Sequence, residues 1–272
     1  MADDDPGLLT RAQAGDRAAL EQLVERQQAR VHRFAAAMCR DGEDAKDVVQ
    51  ETLLALARNV ATLQSAAALS TWLYTVARSF CIKKQSRHGR SLADAARASE
   101  PDAAAALADP ARPPDEAAAA RELARALAGA IESLEPGTRE VVVLRDVEGL
   151  TAPEVAQVLG ISAQAVKSRL HRGRVAVRDL VAPLLQLPAA EAAAGTCPDV
   201  LTLFSQHLED EIDAGVCAQM ERHLEGCPRC RVACDSLKRS LALCRTAGAR
   251  DEVPPQVQAA VRRAMRGLLD GA

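Results

Sequence analysis

Four residues in the C-terminal third of the chain have the types and spacing of a metal site: Cys197, His223, Cys227 and Cys230. Thiolate sulfur and imidazole nitrogen together favour Zn²⁺, and a set of three Cys and one His leaves no open coordination position. The last three are spaced i, i+4 and i+7, which predicts that they project from one face of a single helix. Cys197 would complete the tetrahedron from an earlier segment.

Three more cysteines in the same stretch exceed what one zinc ion needs, and each is an additional candidate ligand: Cys217, Cys234 and Cys244. Three interpretations stay open. The stretch could sense copper, cadmium or excess zinc, it could sense oxidation through a disulfide that releases zinc, or it could be a structural zinc finger with incidental cysteines. Cys39 and Cys81 fall in a separate helical block and are interpreted as small core residues.

The composition indicates small helical domains. The chain has 272 residues, of which 48% are hydrophobic, many of them alanine, and only 2% are aromatic. Alanine favours helix and buries little surface, so we predict an all-α fold of two or three small domains. The acidic N-terminus lacks the features of a signal peptide, and no apolar run reaches the roughly 18 residues of a membrane helix. We therefore expect a cytoplasmic protein without a membrane partner.

Composition shifts divide the chain into helical blocks and joints. Residues 91–115 are rich in alanine and proline and have almost no large apolar side chain to bury, which predicts a flexible linker. A second joint of small residues spans 188–196. The predicted domains are 1–90, 116–187 and 197–253, followed by an amphipathic helix over 254–272.

The second block has the pattern of a DNA-binding helix-turn-helix. Thr151 is placed to cap one helix, Gly160 to end it, and a second helix is predicted from Ala163 onward. No acidic residue occurs from Val155 to Arg178, whereas phosphate-binding cations are frequent there. A solvated basic helix in an ordinary bundle is the alternative. The predicted DNA contacts in this block are Gln164, Lys167, Ser168, Arg169, His171, Arg172 and Arg174.

The same block resembles region 4 of bacterial sigma factors over Leu134–Leu150, Thr151–Ala156 and Val166–Arg174. The resemblance implies a domain that reads the -35 promoter element and binds the flap of the polymerase β subunit. Response regulators with a helix-turn-helix share part of this pattern, so the second block alone leaves the family open.

The first block resembles sigma region 2. The run Asp44–Leu53 is similar to the helix that binds the coiled coil of the polymerase β′ subunit. The resemblance implies that Asp47, Gln50 and Glu51 make this contact, and their spacing places them on one polar stripe of a helix.

A second run of the first block, Thr71–Arg78, is similar to the helix that opens and holds the -10 element. Aromatic side chains beside cations suit unstacked single-stranded bases. However, Trp72 and Phe80 fall on an i, i+4, i+8 stripe with Val76, which predicts core positions for both. The predicted DNA contacts of this block are therefore Arg78 and Arg87.

The third block, through Leu208–Ile212 and His223–Cys230, resembles a zinc-binding anti-sigma domain, which is normally a separate protein. The chain is thus identified as a member of the extracytoplasmic-function sigma factors with a fused cysteine-rich domain, and not as an enzyme. The implied partners are core RNA polymerase and promoter DNA, and a separate anti-sigma factor stays open. Two alternatives are a thiol-redox-regulated sigma factor and a metal-sensing helix-turn-helix repressor.

Overall fold

The computed structural model describes residues 5–39, 41–87, 114–185, 197–249 and 253–270. Within these ranges the regular elements are all helical, as predicted. No helix among them is both long and apolar enough to cross a membrane. In chain order the helices are α1 (Asp5–Gln13), α2 (Arg17–Met38), α3 (Gly42–Asn59), α4 (Ala66–Arg87), α5 (Pro114–Ser133), α6 (Pro136–Val142), α7 (Ala152–Leu159), α8 (Ala163–Val181), α9 (Val200–His207), α10 (Ala214–Gly226), α11 (Pro228–Gly248) and α12 (Pro255–Asp270).

The chain divides into two compact units. The first unit comprises the described parts of Met1–Glu100 and Arg250–Ala272, together with Gln157–Leu159. In it α2, α3 and α4 pack against one another, and α12 packs against α3. The second unit comprises the described parts of Pro101–Ala156 and Gly160–Ala249.

The core stripe of α4 differs from the predicted one. Leu73, Tyr74 and Cys81 are buried, whereas Trp72 and Phe80 are only half-buried. The prediction of core positions for these two aromatics was wrong, because α4 packs through a neighbouring stripe that includes the fully buried Tyr74 ring. Both rings thereby remain partly accessible, and the Lys83 ammonium lies 5.2 Å from the centre of the Phe80 ring.

The C-terminal segment forms the amphipathic helix α12. Its buried residues, Val257, Val261 and Met265, recur every four positions and form one apolar stripe. Arg17 at the start of α2 donates to Asp270 at the end of α12, with a separation of 2.9 Å. The first unit therefore joins residues from both ends of the chain.

In the second unit, α5, α6, α9 and α11 all pack against α8. The chain after α6 continues as a π-helical turn, Val143–Val147. The domain boundaries predicted from composition stay predictions, because most of 91–115 and all of 188–196 lie outside the described residues.

Candidate DNA-binding and metal sites

Local sequence fixes the helix-turn-helix. The Thr151 hydroxyl accepts from the Glu154 backbone N–H and the Glu154 carboxylate accepts in return from Thr151, a capping box that starts α7. Gly160 ends α7 with φ 67°, a left-handed conformation that disfavours side chains with a Cβ. Ser162 then caps α8 by accepting from the Ala165 N–H at 3.1 Å. The predicted start of the second helix at Ala163 is confirmed.

One face of α8 is open to solvent. Gln164, Ser168 and Arg172 are exposed and recur every four residues, so they form a single stripe along the helix. An exposed polar stripe with a guanidinium is the arrangement that base edges and phosphates in a major groove require. Three of the predicted DNA contacts are therefore accessible in this conformation.

A second face of α8 is covered by the chain after Cys197. The Lys167 ammonium donates to the backbone carbonyl of Glu209 at 3.2 Å and lies 3.4 Å from a Glu211 carboxylate oxygen. The His171 Nε2 lies 3.0 Å from the Thr202 hydroxyl. These predicted DNA-binding side chains are thus held by residues of the C-terminal domain.

Arg174 is the most deeply engaged of these side chains. Its guanidinium binds both oxygens of Asp146, at 2.9 and 2.7 Å, and a Glu209 carboxylate oxygen at 2.7 Å. Burial alone would lower the pKa of Arg174, but the bonds to Asp146 and Glu209 outweigh it and raise the pKa. Only 3% of Arg174 is exposed, so the structure gives it an internal ion pair where the sequence predicted contact with DNA.

The opposing charges come from a turn between α9 and α10 that we call the acidic turn, Leu208–Asp213. Glu209 within it is also bonded by Arg145 at 3.1 Å, so its buried carboxylate lies between two guanidinium groups. Sequence reasoning assigned no role to these carboxylates. The signal available in the sequence was charge complementarity, because the acidic turn comes later in the chain than α8, whose charged residues are mostly basic.

The predicted metal ligands come together. The ligand atoms of Cys197, His223, Cys227 and Cys230 all lie within 4.8 Å of one another. The Sγ atoms of Cys197 and Cys227 are 3.9 Å apart, close to the separation of about 3.8 Å that tetrahedral geometry with Zn–S bonds of about 2.3 Å requires. The backbone N–H of Cys230 lowers the pKa of the Cys227 thiol, which favours the thiolate form that binds metal.

A further observation fits a metal at this site. The Nε2 atom of His223 is buried and has no hydrogen-bond partner among the described residues. A buried ring nitrogen without a partner is costly unless something binds it, and a metal ion does so. The sulfur and nitrogen donors thus suit a zinc ion.

The ligands do not lie on one helix face, which corrects the sequence prediction. His223 is in the last turn of α10, Cys227 lies between the helices, and Cys230 is in the first turn of α11. Pro228 occupies the first position of α11, where its missing N–H costs nothing. The i, i+4, i+7 spacing therefore reflects a tight corner, which Arg231 holds by donating to the Leu224 and Glu225 carbonyls.

The three additional cysteines lie outside the four-residue group. Cys217 Sγ is 3.2 Å from the His207 Nδ1. Cys234 is buried, with its Sγ 3.9 Å from the Val200 carbonyl oxygen. Cys244 is buried as well, and its burial raises the pKa of this thiol to about 12.

The predicted polymerase contacts lie on α3 in the first unit. Asp47 is exposed and forms an ion pair with Lys84 of α4, while Gln50 and Glu51 are half-buried. Arg78 is half-buried on α4. The side chain of Arg87 lies outside the described residues.

Known protein families match the first helical block, the helix-turn-helix and the metal group. The family profile of Sigma-70 region 2 matches residues 23–91, that of Sigma-70, region 4 matches 124–177, and a profile described as "Putative zinc-finger" matches 197–231. SigE of Mycolicibacterium smegmatis, an ECF RNA polymerase sigma factor, is 32% identical over 184 residues, which cover 66% of this chain and 70% of SigE.

Two further relatives match almost along their whole length. CarQ of Myxococcus xanthus is 33% identical over 65% of this chain and 97% of CarQ, and the sigma-E factor of Escherichia coli K12 is 30% identical over 67% and 96%. The chain belongs to the extracytoplasmic-function sigma factors. A solved structure of CnrH in complex with the cytosolic domain of CnrY aligns with 66% of this sigma factor and 99% of that chain, at 25% identity and a TM-score of 0.46.

As a sigma factor, the protein acts in transcription initiation with core RNA polymerase and promoter DNA. The region 4 match contains every residue of α8 predicted to contact DNA. The zinc-finger match contains the four grouped ligands and the acidic turn, and it ends before Cys234 and Cys244. The sigma factor therefore has a zinc-finger-like segment packed directly on its helix-turn-helix.

Proposed function

We propose that this sigma factor is regulated in cis by its C-terminal domain, which covers one face of the promoter-reading helix α8 when its metal site is filled. The observation that carries the proposal is the contact between the acidic turn and the basic face of α8. Glu209 and Glu211 neutralise Lys167 and Arg174 there. Paired with Glu211, Lys167 is held away from DNA phosphates.

When the acidic turn is released from α8, region 4 reads the -35 element. Gln164, Ser168 and Arg172 make the base and phosphate contacts available on the exposed face, joined by Arg169. Release of the acidic turn adds Lys167 and His171 to the phosphate-binding set. Region 4 also binds the flap of the polymerase β subunit.

Region 2 supplies the other half of promoter recognition. Asp47, Gln50 and Glu51 bind the β′ coiled coil, and Arg78 and Arg87 contact the melted -10 strand. The half-buried ring of Trp72 supports this assignment, because a partly accessible indole suits stacking with an unpaired base.

The metal group positions the acidic turn. Cys197 precedes α9, while His223, Cys227 and Cys230 join α10 to α11, so a bound Zn²⁺ ties together the segments on either side of the turn. Loss of zinc, or its replacement by copper or cadmium, which prefer thiolates, would change the ligand geometry and release α8. Oxidation of the same thiols is the alternative signal, supported by the 3.9 Å separation of the Cys197 and Cys227 sulfurs.

The test is run-off transcription with core RNA polymerase on a promoter of the sigma factor, using the full chain loaded with zinc, stripped by a chelator, or titrated with copper or cadmium. The zinc-loaded chain is expected to transcribe least, and a Cys197→Ser variant to transcribe without regard to metal. Cys217→Ser is the matched control, since Cys217 lies outside the ligand group, and it should behave as the native chain does.

Each other outcome has a distinct meaning. Equal transcription in all metal states would remove metal regulation and leave the sigma activity intact. Greater activity with zinc would overturn the assignment of the covered form as the metal-bound form. Regulation by peroxide but by no metal would select the redox alternative.

A further inference from the structure

Two cysteines far from the metal site lie in contact within the first unit. The Sγ atoms of Cys39 and Cys81 are 2.8 Å apart, although the residues are 42 positions apart in the chain. Cys39 ends α2, and its backbone N–H donates to the Ala35 carbonyl, while Cys81 lies in α4. Both side chains are buried, so the contact is made inside the packing of α2 on α4.

The two thiols lie close enough to form a disulfide bond after a small movement. A disulfide bond is about 2.05 Å long, so the sulfurs need to approach by less than roughly 1 Å. Neither sulfur belongs to the four-residue metal group. A core role requires only that each thiol be small and buried, whereas placing two thiols of separate helices against each other permits a chemical reaction between them.

We propose that Cys39 and Cys81 form a reversible intramolecular disulfide that locks α2 to α4 when the protein meets hydrogen peroxide. Cys39 reacts first, because it is at the end of a helix, where fraying exposes buried groups most readily. Its thiolate attacks one peroxide oxygen to form a sulfenic acid, and the departing hydroxide takes up a proton as water. The Cys81 thiol then attacks the sulfenic sulfur and a second water leaves.

The reaction balances without another reactant. Two thiols and one hydrogen peroxide give one disulfide and two waters, with both sulfurs oxidised and the peroxide reduced. A small thiol such as dithiothreitol reverses the reaction by exchange. The ring that the bond closes contains the whole of α3, Gly42–Asn59, and shortening the unfolded chain in this way stabilises the folded unit.

The sequence allows a direct chemical test. Trypsin releases Cys39 in the peptide Phe34–Arg40 and Cys81 in the peptide Ser79–Lys83, each with a single cysteine. The zinc-loaded full-length protein is treated with peroxide, its free thiols are alkylated, and the digest of the monomer fraction is analysed by mass spectrometry. We expect the two peptides to be recovered as one disulfide-linked species that dithiothreitol separates.

Stability gives a second readout. Trp72 is the only tryptophan of the chain and lies in α4, so its fluorescence reports the unfolding of the first unit. Peroxide should raise this melting temperature by roughly 10 °C in the native chain. Cys39→Ser and Cys81→Ser should show no increase, and Cys197→Ser, which changes the metal group only, should keep both the linked peptide and the increase.

The proposal fails if the two peptides are recovered singly, alkylated or over-oxidised, after peroxide has oxidised the metal-site cysteines. It fails equally if the link occurs only in covalent dimers. Neither result depends on whether the metal site regulates transcription, since the measurement is made on the first unit alone. If a serine variant does not fold, the reversal by dithiothreitol in the native chain still decides the question.

Discussion

The two units hold their C-terminal elements by different kinds of contact. In the second unit the acidic turn meets region 4 through charged groups, with Glu209 buried between Arg145 and Arg174. In the first unit α12 meets region 2 through an apolar stripe, represented by Val261 at 2% exposure. The first contact is mainly ionic, whereas the second buries apolar surface and adds one exposed ion pair, Arg17–Asp270.

The difference determines what can open each contact. Ion pairs weaken with salt where they are near solvent, and removal of one partner leaves the other charge buried and uncompensated. Apolar contacts respond little to salt and lose stability in proportion to the area removed. The covered face of α8 is therefore suited to a regulated contact, whereas α12 is suited to a permanent one.

The largest expected effect is that of losing the metal, which should destabilise the second unit and not the first. Cys230→Ser should lose the bound zinc and destabilise the second unit by several kcal/mol, since a structural zinc site contributes on the order of 10 kcal/mol in small domains. The first unit should be unaffected. Far-UV circular dichroism reports the loss of helix from both units, and Trp72 fluorescence reports the first unit only.

Cys217→Ser is the control for this variant, because it removes a thiol of the same segment that lies outside the ligand group. It should retain one zinc per chain. Retention of stoichiometric zinc by Cys230→Ser would contradict the assignment of the site. A fall in the unfolding midpoint measured by Trp72 fluorescence would show that metal also stabilises the first unit, and it would contradict the distinction between the two units.

The second prediction removes the central charge of the ionic contact. Glu209→Gln removes one of the two carboxylates that bind Arg174 and also the carboxylate that binds Arg145, so the second unit should lose about 2–3 kcal/mol of its free energy of unfolding. The variant should also bind a -35 duplex more tightly. Denaturant unfolding and fluorescence anisotropy measure the two effects.

Glu221→Gln is the matched control, since it makes the same chemical change at an exposed position of α10. It should change stability by less than about 0.5 kcal/mol. If Glu209→Gln weakens DNA binding or leaves both measurements unchanged, then the acidic turn does not restrain α8.

The metal group shows how far sequence reasoning reached. Residue type and spacing were sufficient to select Cys197 and His223 with their partners, because few side chains bind zinc. The spacing did not show that the helix breaks, although Pro228 directly after Cys227 was a visible signal. Local periodicity favoured a continuous helix, and the tertiary requirement of four converging ligands overrode it.

The contacts of α8 show why the rest was not predictable. Periodicity placed Val166 and Leu170 in the core correctly, since the apolar residues of an amphipathic helix recur on its buried face. It could not show that Lys167 and Arg174 meet Glu209, because those contacts join segments more than thirty residues apart. Nor did any local pattern place Cys39 against Cys81. Pairing of distant segments is a property of the packed fold.

The third prediction addresses the apolar contact. Val261→Ala removes two buried methyl groups from α12 and should lower the free energy of unfolding of the first unit by about 1–2 kcal/mol. The loss should be the same at about 0.05 M and about 0.5 M salt, because no charge is involved. Arg262→Ala at the neighbouring exposed position is the control. A loss that shrinks with salt would indicate that α12 is held by charge and not by its apolar stripe.

A fourth prediction tests the close packing of α11 on region 4. A Cβ at Gly248 would overlap the backbone carbonyl of Val147, so Gly248→Ala requires a backbone shift and should destabilise the second unit by about 1 kcal/mol or more. Gly129→Ala in α5 is the control, because no described atom lies within 4 Å of a Cβ added there and alanine favours helix. Equal stability of the two variants would contradict the docking of α11 on this turn.

The smallest expected effect is the most specific to the ionic contact. Glu211→Gln removes the partner of Lys167 at the edge of the covered face, where solvent screens the pair, so the loss should be about 0.2–1 kcal/mol. The loss should decline between about 0.05 M and about 0.5 M salt, unlike that of Val261→Ala. Asp210→Asn removes the same charge from the same turn at a residue that has no ion pair within the described part of the chain, and Asn tolerates the positive φ of 54° there. If both variants show the same salt dependence, net charge and not the bond to Lys167 accounts for the effect, and the acidic turn attracts α8 as a whole without a specific pairing.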